Sequence, residues 1–241
     1  MKTSSDSYVR GKIIETAIRM LDSGRALDIR RLASEARADF NDVIHAVEPF
    51  MNQGHSPTVL KVLLSVEAIR HGLEPQNVAK HLSWKEMEAF VATVSRLSGL
   101  RYRTNLQLSY SGRRAEIDVL SAYPSLCLVI DCKRWNKQLS GKTLRSIIEK
   151  AKQRTILTKA FLEKKYGGDN LTFFAPVVVS LYEPASRKVD DVFIVPVNAL
   201  KTFLASAENV LMGAAFAAKL KPDWLRFFED DNLNQSLDIW R

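Results

Sequence analysis

The sequence predicts an α/β protein, a mixed sheet flanked by helices, with a separate all-helical region ahead of it. Three observations predict this. Residues 101–110 and 113–120 alternate apolar and polar side chains with the period of two of a half-buried strand. Leu126 to Ile130 is an unbroken apolar run, as in a central strand covered on both faces. Residues 141–166 then repeat apolar side chains at helical spacing, and two more strand-like runs follow at 173–182 and 192–197. Helix, three strands, helix, strand, strand is the order of a layered α/β domain.

The N-terminal region reads as three short helices within residues 7–52. Ile13, Ile14, Ala17 and Leu21 mark one apolar face, Ile29, Leu32, Ala33 and Ala36 a second, and Val43, Ile44, Val47 and Phe50 a third. Asp39 stands where it could cap the third. Three helices with tight turns suit a helix-turn-helix or winged-helix unit at 1–52. Residues 53–82 add two linking helices, one through Val59, Leu63, Val66 and Ile69, the other from Glu74 to His81. A second unit, 83–200, begins at Ser83, where Glu86 three residues on completes a capping-box pattern. Trp84, Met87, Val91 and Val94 form the stripe of that helix, and Glu88 lies at its edge, where a carboxylate is unusual. Ser111-Gly112 and Pro124-Ser125 read as two-residue turns, and Gly167-Gly168 as the stop of the long helix. Pro176 and Pro196 are expected near strand ends or edges. Residues 201–241 read as a helical extension ending in an acidic, aromatic-bearing tail.

Composition narrows the function. At 241 residues with 46% apolar side chains, the chain can bury a substantial core. It has no apolar run near the ~18 residues of a membrane span, and Met1 to Tyr8 is polar, so a cytoplasmic protein with no membrane partner is expected. Cys127 and Cys132 lie five apart on one strand, too distant to bridge, and read as core residues in a reducing compartment.

The net charge of +8 is unevenly placed. Between Lys133 and Lys165 stand eleven basic residues and two acidic ones, a local excess of +9. One segment therefore carries the whole excess, which points to a phosphate-facing surface. Met1 to Glu74 has ten basic and ten acidic residues, so contact with a partner subunit is as reasonable there as contact with DNA.

Asp131 and Lys133 emerge from the buried run Leu126 to Ile130 on one face of the strand. If Pro124 and Ser125 are the two loop residues, Asp118 sits opposite Asp131. Opposed carboxylates repel unless a cation or proton lies between them. Mg²⁺ is commonly held by one or two carboxylates together with waters and phosphate oxygens. A second acid-x-Lys pair, Glu163/Lys165, closes a helix, where lysines favour the dipole, and has a structural explanation.

The segments WKEMEAFV (84–91), RRAEIDVL (113–120) and LVIDCKRW (128–135) together resemble the PD-(D/E)xK restriction-endonuclease-like superfamily, nearest to its Mrr-type and archaeal Holliday-junction-resolvase-like branches. The resemblance covers about residues 83–200. It implies an αβββαβ core and a metal-dependent endodeoxyribonuclease. It places the family's helix acid on Glu88, its second-strand acid on Asp118, its acid-x-Lys pair on Asp131 and Lys133, and its glutamine on Gln153. Asp131 stands where the Mrr branch more often has Glu. On this reading Asp118 and Asp131, with Glu88, bind Mg²⁺, or Mn²⁺ as its substitute. Lys133 and Gln153 then act on the attacking water and the phosphate. Arg134, Lys137, Lys142, Arg145 and Arg154 neutralise flanking DNA phosphates, while Trp135 is assigned to the core. A homodimer is expected, because one site cuts one strand. The alternatives are a catalytically inactive DNA-binding protein or transcription regulator that keeps the fold, and a nuclease directed at RNA.

Overall fold

The computed structural model describes residues 4–51, 54–134, 140–211 and 216–229. Internal contacts divide the chain into two compact units, Met1–Phe90 and Val91–Arg241. The division falls inside a helix, a few residues beyond Ser83.

The first unit is helical throughout its described residues. Helices α1 (Ser4–Asp22), α2 (Ile29–Ala36) and α3 (Phe40–Met51) are the expected three, followed by α4 (Pro57–Arg70), the short α5 (Pro75–Ala79) and the start of α6 (Trp84–Leu97). There is no strand among them to form a wing. Ile13, Ile14, Leu32, Val43, Val47 and Leu63 are buried, so the apolar faces read from the sequence are the faces that pack. Asp28 caps α2 by accepting from the Arg31 N–H at 2.7 Å, and Asp39 accepts from the Asn41 N–H at 2.8 Å. The capping box forms as expected. Ser83 N–H donates to Glu86 Oε2 at 2.6 Å, and Glu86 N–H reaches Ser83 Oγ at 3.4 Å. Glu86 Oε2 also holds Lys61 Nζ at 3.1 Å, and Asp22 Oδ1 holds the same ammonium at 2.9 Å. Lys61 is only 5% exposed, and these two acids compensate its burial. Trp84, assigned to the buried stripe, is instead 57% exposed.

The second unit is built on a seven-stranded mixed sheet. Strands β1 (Arg101–Tyr110), β2 (Arg113–Tyr123) and β3 (Leu126–Lys133) form an antiparallel meander. Helix α7 (Gly141–Tyr166) crosses over to β4 (Gly167–Ser180), which lies parallel to β3. Strands β5 (Lys188–Val189) and β6 (Val192–Pro196) follow, then α8 (Leu200–Leu211) and β7 (Phe216–Leu220). The order across the sheet is β1-β2-β3-β4-β6-β5, with β7 also paired to β4. No helix among the described residues is long and apolar enough to cross a membrane.

Both meander turns are as short as the sequence predicted. Tyr110 pairs with Arg113 and Tyr123 with Leu126, leaving two residues in each loop. Ser111 and Gly112 have φ of 49° and 76°, the left-handed pair that a tight hairpin needs to match the twist of its strands. The core between sheet and α7 gathers Leu120, Cys127, Val129, Leu157, Phe174 and Trp224. Both cysteines are buried free thiols, and burial pushes the Cys127 thiol up.

Two expectations are corrected here, and a third, the helix stop at Gly167-Gly168, holds by a different backbone geometry. The region after 200 is not wholly helical, because β7 pairs antiparallel with the first half of β4 and is followed by a 3₁₀ turn at Trp224–Phe228. Pro176 is interior to a central strand, paired with Val129. The far edge of β4 is taken by β7 only as far as Phe174, and by β6 only from Val177. The nitrogen that cannot donate therefore falls at the gap between two partners, where it costs no ladder bond. Gly167 ends α7 without a left-handed cap, at φ −53°. These glycines instead permit close backbone approach. A Cβ on Gly168 would stand 2.6 Å from Lys221 N and 2.8 Å from Leu220 C. Gly168→Ala is expected to destabilise the second unit by about 1–3 kcal/mol, read as a lowered urea midpoint.

Candidate active site

The site is made where β2 and β3 part company. Their ladder runs from Tyr123↔Leu126 to Val119↔Ile130, the register expected from the sequence. Asp118 and Asp131 are the next residues along. Here the Asp118 side chain replaces the strand backbone as partner, its Oδ2 accepting from the Cys132 N–H at 2.7 Å. On its other side β2 is also irregular. The pairing with β1 skips the position between Thr104↔Val119 and Leu106↔Ile117, and Asn105 there has φ 51°. Asn tolerates that left-handed backbone better than most residues.

Asp131 and Lys133 follow Cys127 and Val129 at alternate positions of β3, the two of that set that pack with α7. Asp131 is 3% exposed. Its Oδ1 takes two cations, Lys133 Nζ at 2.7 Å and Arg154 Nη1 of α7 at 2.9 Å. Its Oδ2 is buried and receives no hydrogen bond from a fixed donor. Asp118 is 6% exposed, and its carboxyl is raised from 3.8 to about 7. Burial is the largest cause and the charge of Asp131 the next, while the Cys132 N–H and the Lys133 ammonium act in the opposite direction. When protonated, Asp118 can hydrogen-bond to Asp131. Two oxygen-donor acids that crowd each other, one with a buried oxygen left over, fit a hard divalent cation such as Mg²⁺ or Mn²⁺.

The other expected residues are placed as follows. Glu88 is buried at 6% exposure on α6, within the first unit, and among the described residues no three metal-ligating side chains cluster. Gln153 is exposed on α7 and donates to Glu149 Oε1 at 2.9 Å. The next residue, Arg154, reaches Asp131 in its place. Arg154, expected among the flanking phosphate contacts, pairs its guanidinium with Asp131. One step along a helix rotates a side chain by about 100°, which decides between the two. Arg134, Lys142 and Arg145 are exposed. Lys137 and Trp135 lie outside the described residues. The sequence reading gave no role to Arg113 and Arg114 and counted Lys150 only within the basic segment 133–165; all three line a groove of about 940 Å³ between the β1–β2 hairpin and α7. The spacing of Lys150, Arg154 and Leu157 along one helix face was the available signal.

No family model matches the chain, and no curated protein matches it. Among solved structures, a protein from Vibrio cholerae, VC1899, aligns at a TM-score of 0.37 and 13% identity, over 86% of this chain and 56% of that one. This chain thus spans a little over half the length of that structure.

Proposed function

We propose that the protein is a metal-dependent endodeoxyribonuclease of the PD-(D/E)xK kind, hydrolysing phosphodiester bonds of DNA. The observation that carries this reading is the juxtaposition of Asp118, Asp131 and Lys133 where two strands separate, with Lys133 Nζ 2.7 Å from Asp131. The chain order α6, β1, β2, β3, α7, β4 supports it, being the αβββαβ order that the sequence resemblance implies. Site residues at the carboxyl end of a central strand also accord with where α/β sheets bind ligands.

Asp118 and Asp131 would hold the Mg²⁺. When bound, such an ion lowers the pKa of a water and offsets charge on the scissile phosphate. The chain supplies the rest. Lys133 directs an ammonium at the same oxygen environment and is placed to stabilise negative charge building on phosphorus-bound oxygens. Arg154 fixes Asp131 from the side of α7 and adds a second cation. The Cys132 N–H orients the Asp118 carboxylate. Arg134, Lys142 and Arg145 supply exposed cations for flanking phosphates, so affinity should fall steeply with salt. The three helices α1 to α3 support a helix-turn-helix role for the first unit, in DNA contact or in pairing with a second copy.

Incubating the purified chain with supercoiled plasmid tests the proposal. Nicking with Mg²⁺ or Mn²⁺, abolished by EDTA, is the expected result. No nicking of plasmid, four-way junction or methylated duplex under those conditions would count against it and leave a DNA-binding protein.

A further inference from the structure

We infer that the groove between the β1–β2 hairpin and α7 is a seat for single-stranded DNA leading to the carboxylate pair. The inference deepens the nuclease reading and relies on it for what happens at the strand's end, but not for the binding itself.

The groove's walls come from two elements. The hairpin contributes Tyr110 through Glu116, and α7 contributes Lys150, Arg154 and Leu157 at helical spacing. The side chains of Arg113, Arg114 and Lys150 are exposed and make no ion pair or hydrogen bond among the described residues. Glu116 is the acid among the lining residues. Unneutralised cations gathered along a recess favour a polyanion.

The floor differs from the rim. Tyr110, Ala115, Leu157 and Ala160 give an apolar and aromatic surface, with Ile156 44% exposed beside it. Cations that track a backbone above a surface on which bases can lie are the features of single-strand sites. A duplex turns its bases inward and offers nothing to such a floor. The volume is at the upper end of single-ligand pockets, on the order of 300–1,000 Å³, which suits a few nucleotides of one strand.

Arg154 connects the groove to the site. It lines the groove, and its Nη1 is 2.9 Å from Asp131 Oδ1. A strand lying along Arg113, Arg114 and Lys150 would meet the acids by way of Arg154. The protein would thus favour DNA with an unpaired stretch beside the cut.

The test is fluorescence anisotropy on the full chain in EDTA, where cleavage plays no part, with a thymidine oligomer and a blunt duplex of equal length as probes. The variant Arg113→Gln/Arg114→Gln/Lys150→Gln alters only exposed positions. Its affinity for the oligomer is expected to fall by about 10-fold to 100-fold, and its log–log salt slope by about 2, three contacts at roughly 0.7 each for single strands. Its duplex affinity should fall less. The control Lys201→Gln/Lys219→Gln/Lys221→Gln removes the same charge elsewhere and should leave oligomer binding within about twofold. Equal losses in both variants, an unchanged affinity in the groove variant, or tighter binding of the matching oligoribonucleotide would overturn the inference. A protein that binds as expected but never nicks plasmid keeps the groove and loses the nuclease. One that nicks plasmid while its groove variant binds the oligomer normally keeps the nuclease and loses the groove.

Discussion

Asp131→Asn is expected to reduce metal-dependent nicking by on the order of 10³-fold or more while DNA binding in EDTA survives. The substitution keeps the shape of the side chain and removes the charge on which three other groups converge. Lys133 and Arg154 both form ion pairs with Asp131 Oδ1, at 2.7 and 2.9 Å, and Asp118 crowds it. Lys133→Ala should give a comparable loss by deleting the ammonium beside that oxygen. The measurement pairs plasmid nicking in Mg²⁺ with anisotropy of labelled DNA in EDTA. Nicking at the wild-type rate by either variant would end the assignment. Because Asp131 is buried and its cations would lose their partner, a thermal melt must accompany each assay to separate lost chemistry from lost folding.

Asp118→Asn should make the metal-free protein more stable at pH 8, by about 2–4 kcal/mol. The sign follows from the direction of the shift. In the folded chain the Asp118 carboxyl holds its proton up to about 7, against 3.8 unfolded. Between those values the folded state binds the extra proton, so wild-type stability falls as pH rises through that window and stays low above it. Asparagine carries no charge and can still accept from the Cys132 N–H. The advantage of the variant should therefore shrink as pH is lowered from 8 and vanish near pH 4. Urea denaturation at pH 4, 6 and 8 in EDTA reads this directly. An advantage independent of pH would show that Asp118 is not strained by its neighbours. Added Mg²⁺ should stabilise the wild type at pH 8 and do little for the variant, since only the former offers the full pair of carboxylates.

The sequence was most informative where local pattern alone fixes the geometry. The turn at Pro124-Ser125 set the register of β2 on β3, and with it the approach of Asp118 to Asp131. The helical spacing at 141–166 matched α7 at both ends. Features that depend on distant partners were not legible. Phe216–Leu220 alternates too briefly to announce a strand, and it becomes one because β4 presents an edge to it. Pro176 gave no sign that two different neighbours would leave a gap at its nitrogen. Gln153 and Arg154 are adjacent in sequence, and only the packing of α7 on the sheet decides which of them reaches Asp131. Asn105 could not be seen to carry a left-handed backbone beside Asp118, because its place in the alternation is ordinary.

The pairing of β7 with β4 has a consequence for biosynthesis. Among the described residues, the edge at Leu171–Phe174 is closed by residues 216–220, more than forty positions later in the chain. On the ribosome that edge, with Leu171 and two phenylalanines, must wait open while α8 is being made. Unpaired edges recruit strands from other molecules. Chains cut short ahead of Phe216 should therefore accumulate as insoluble aggregates, even though every side chain around Asp131 is already present in them.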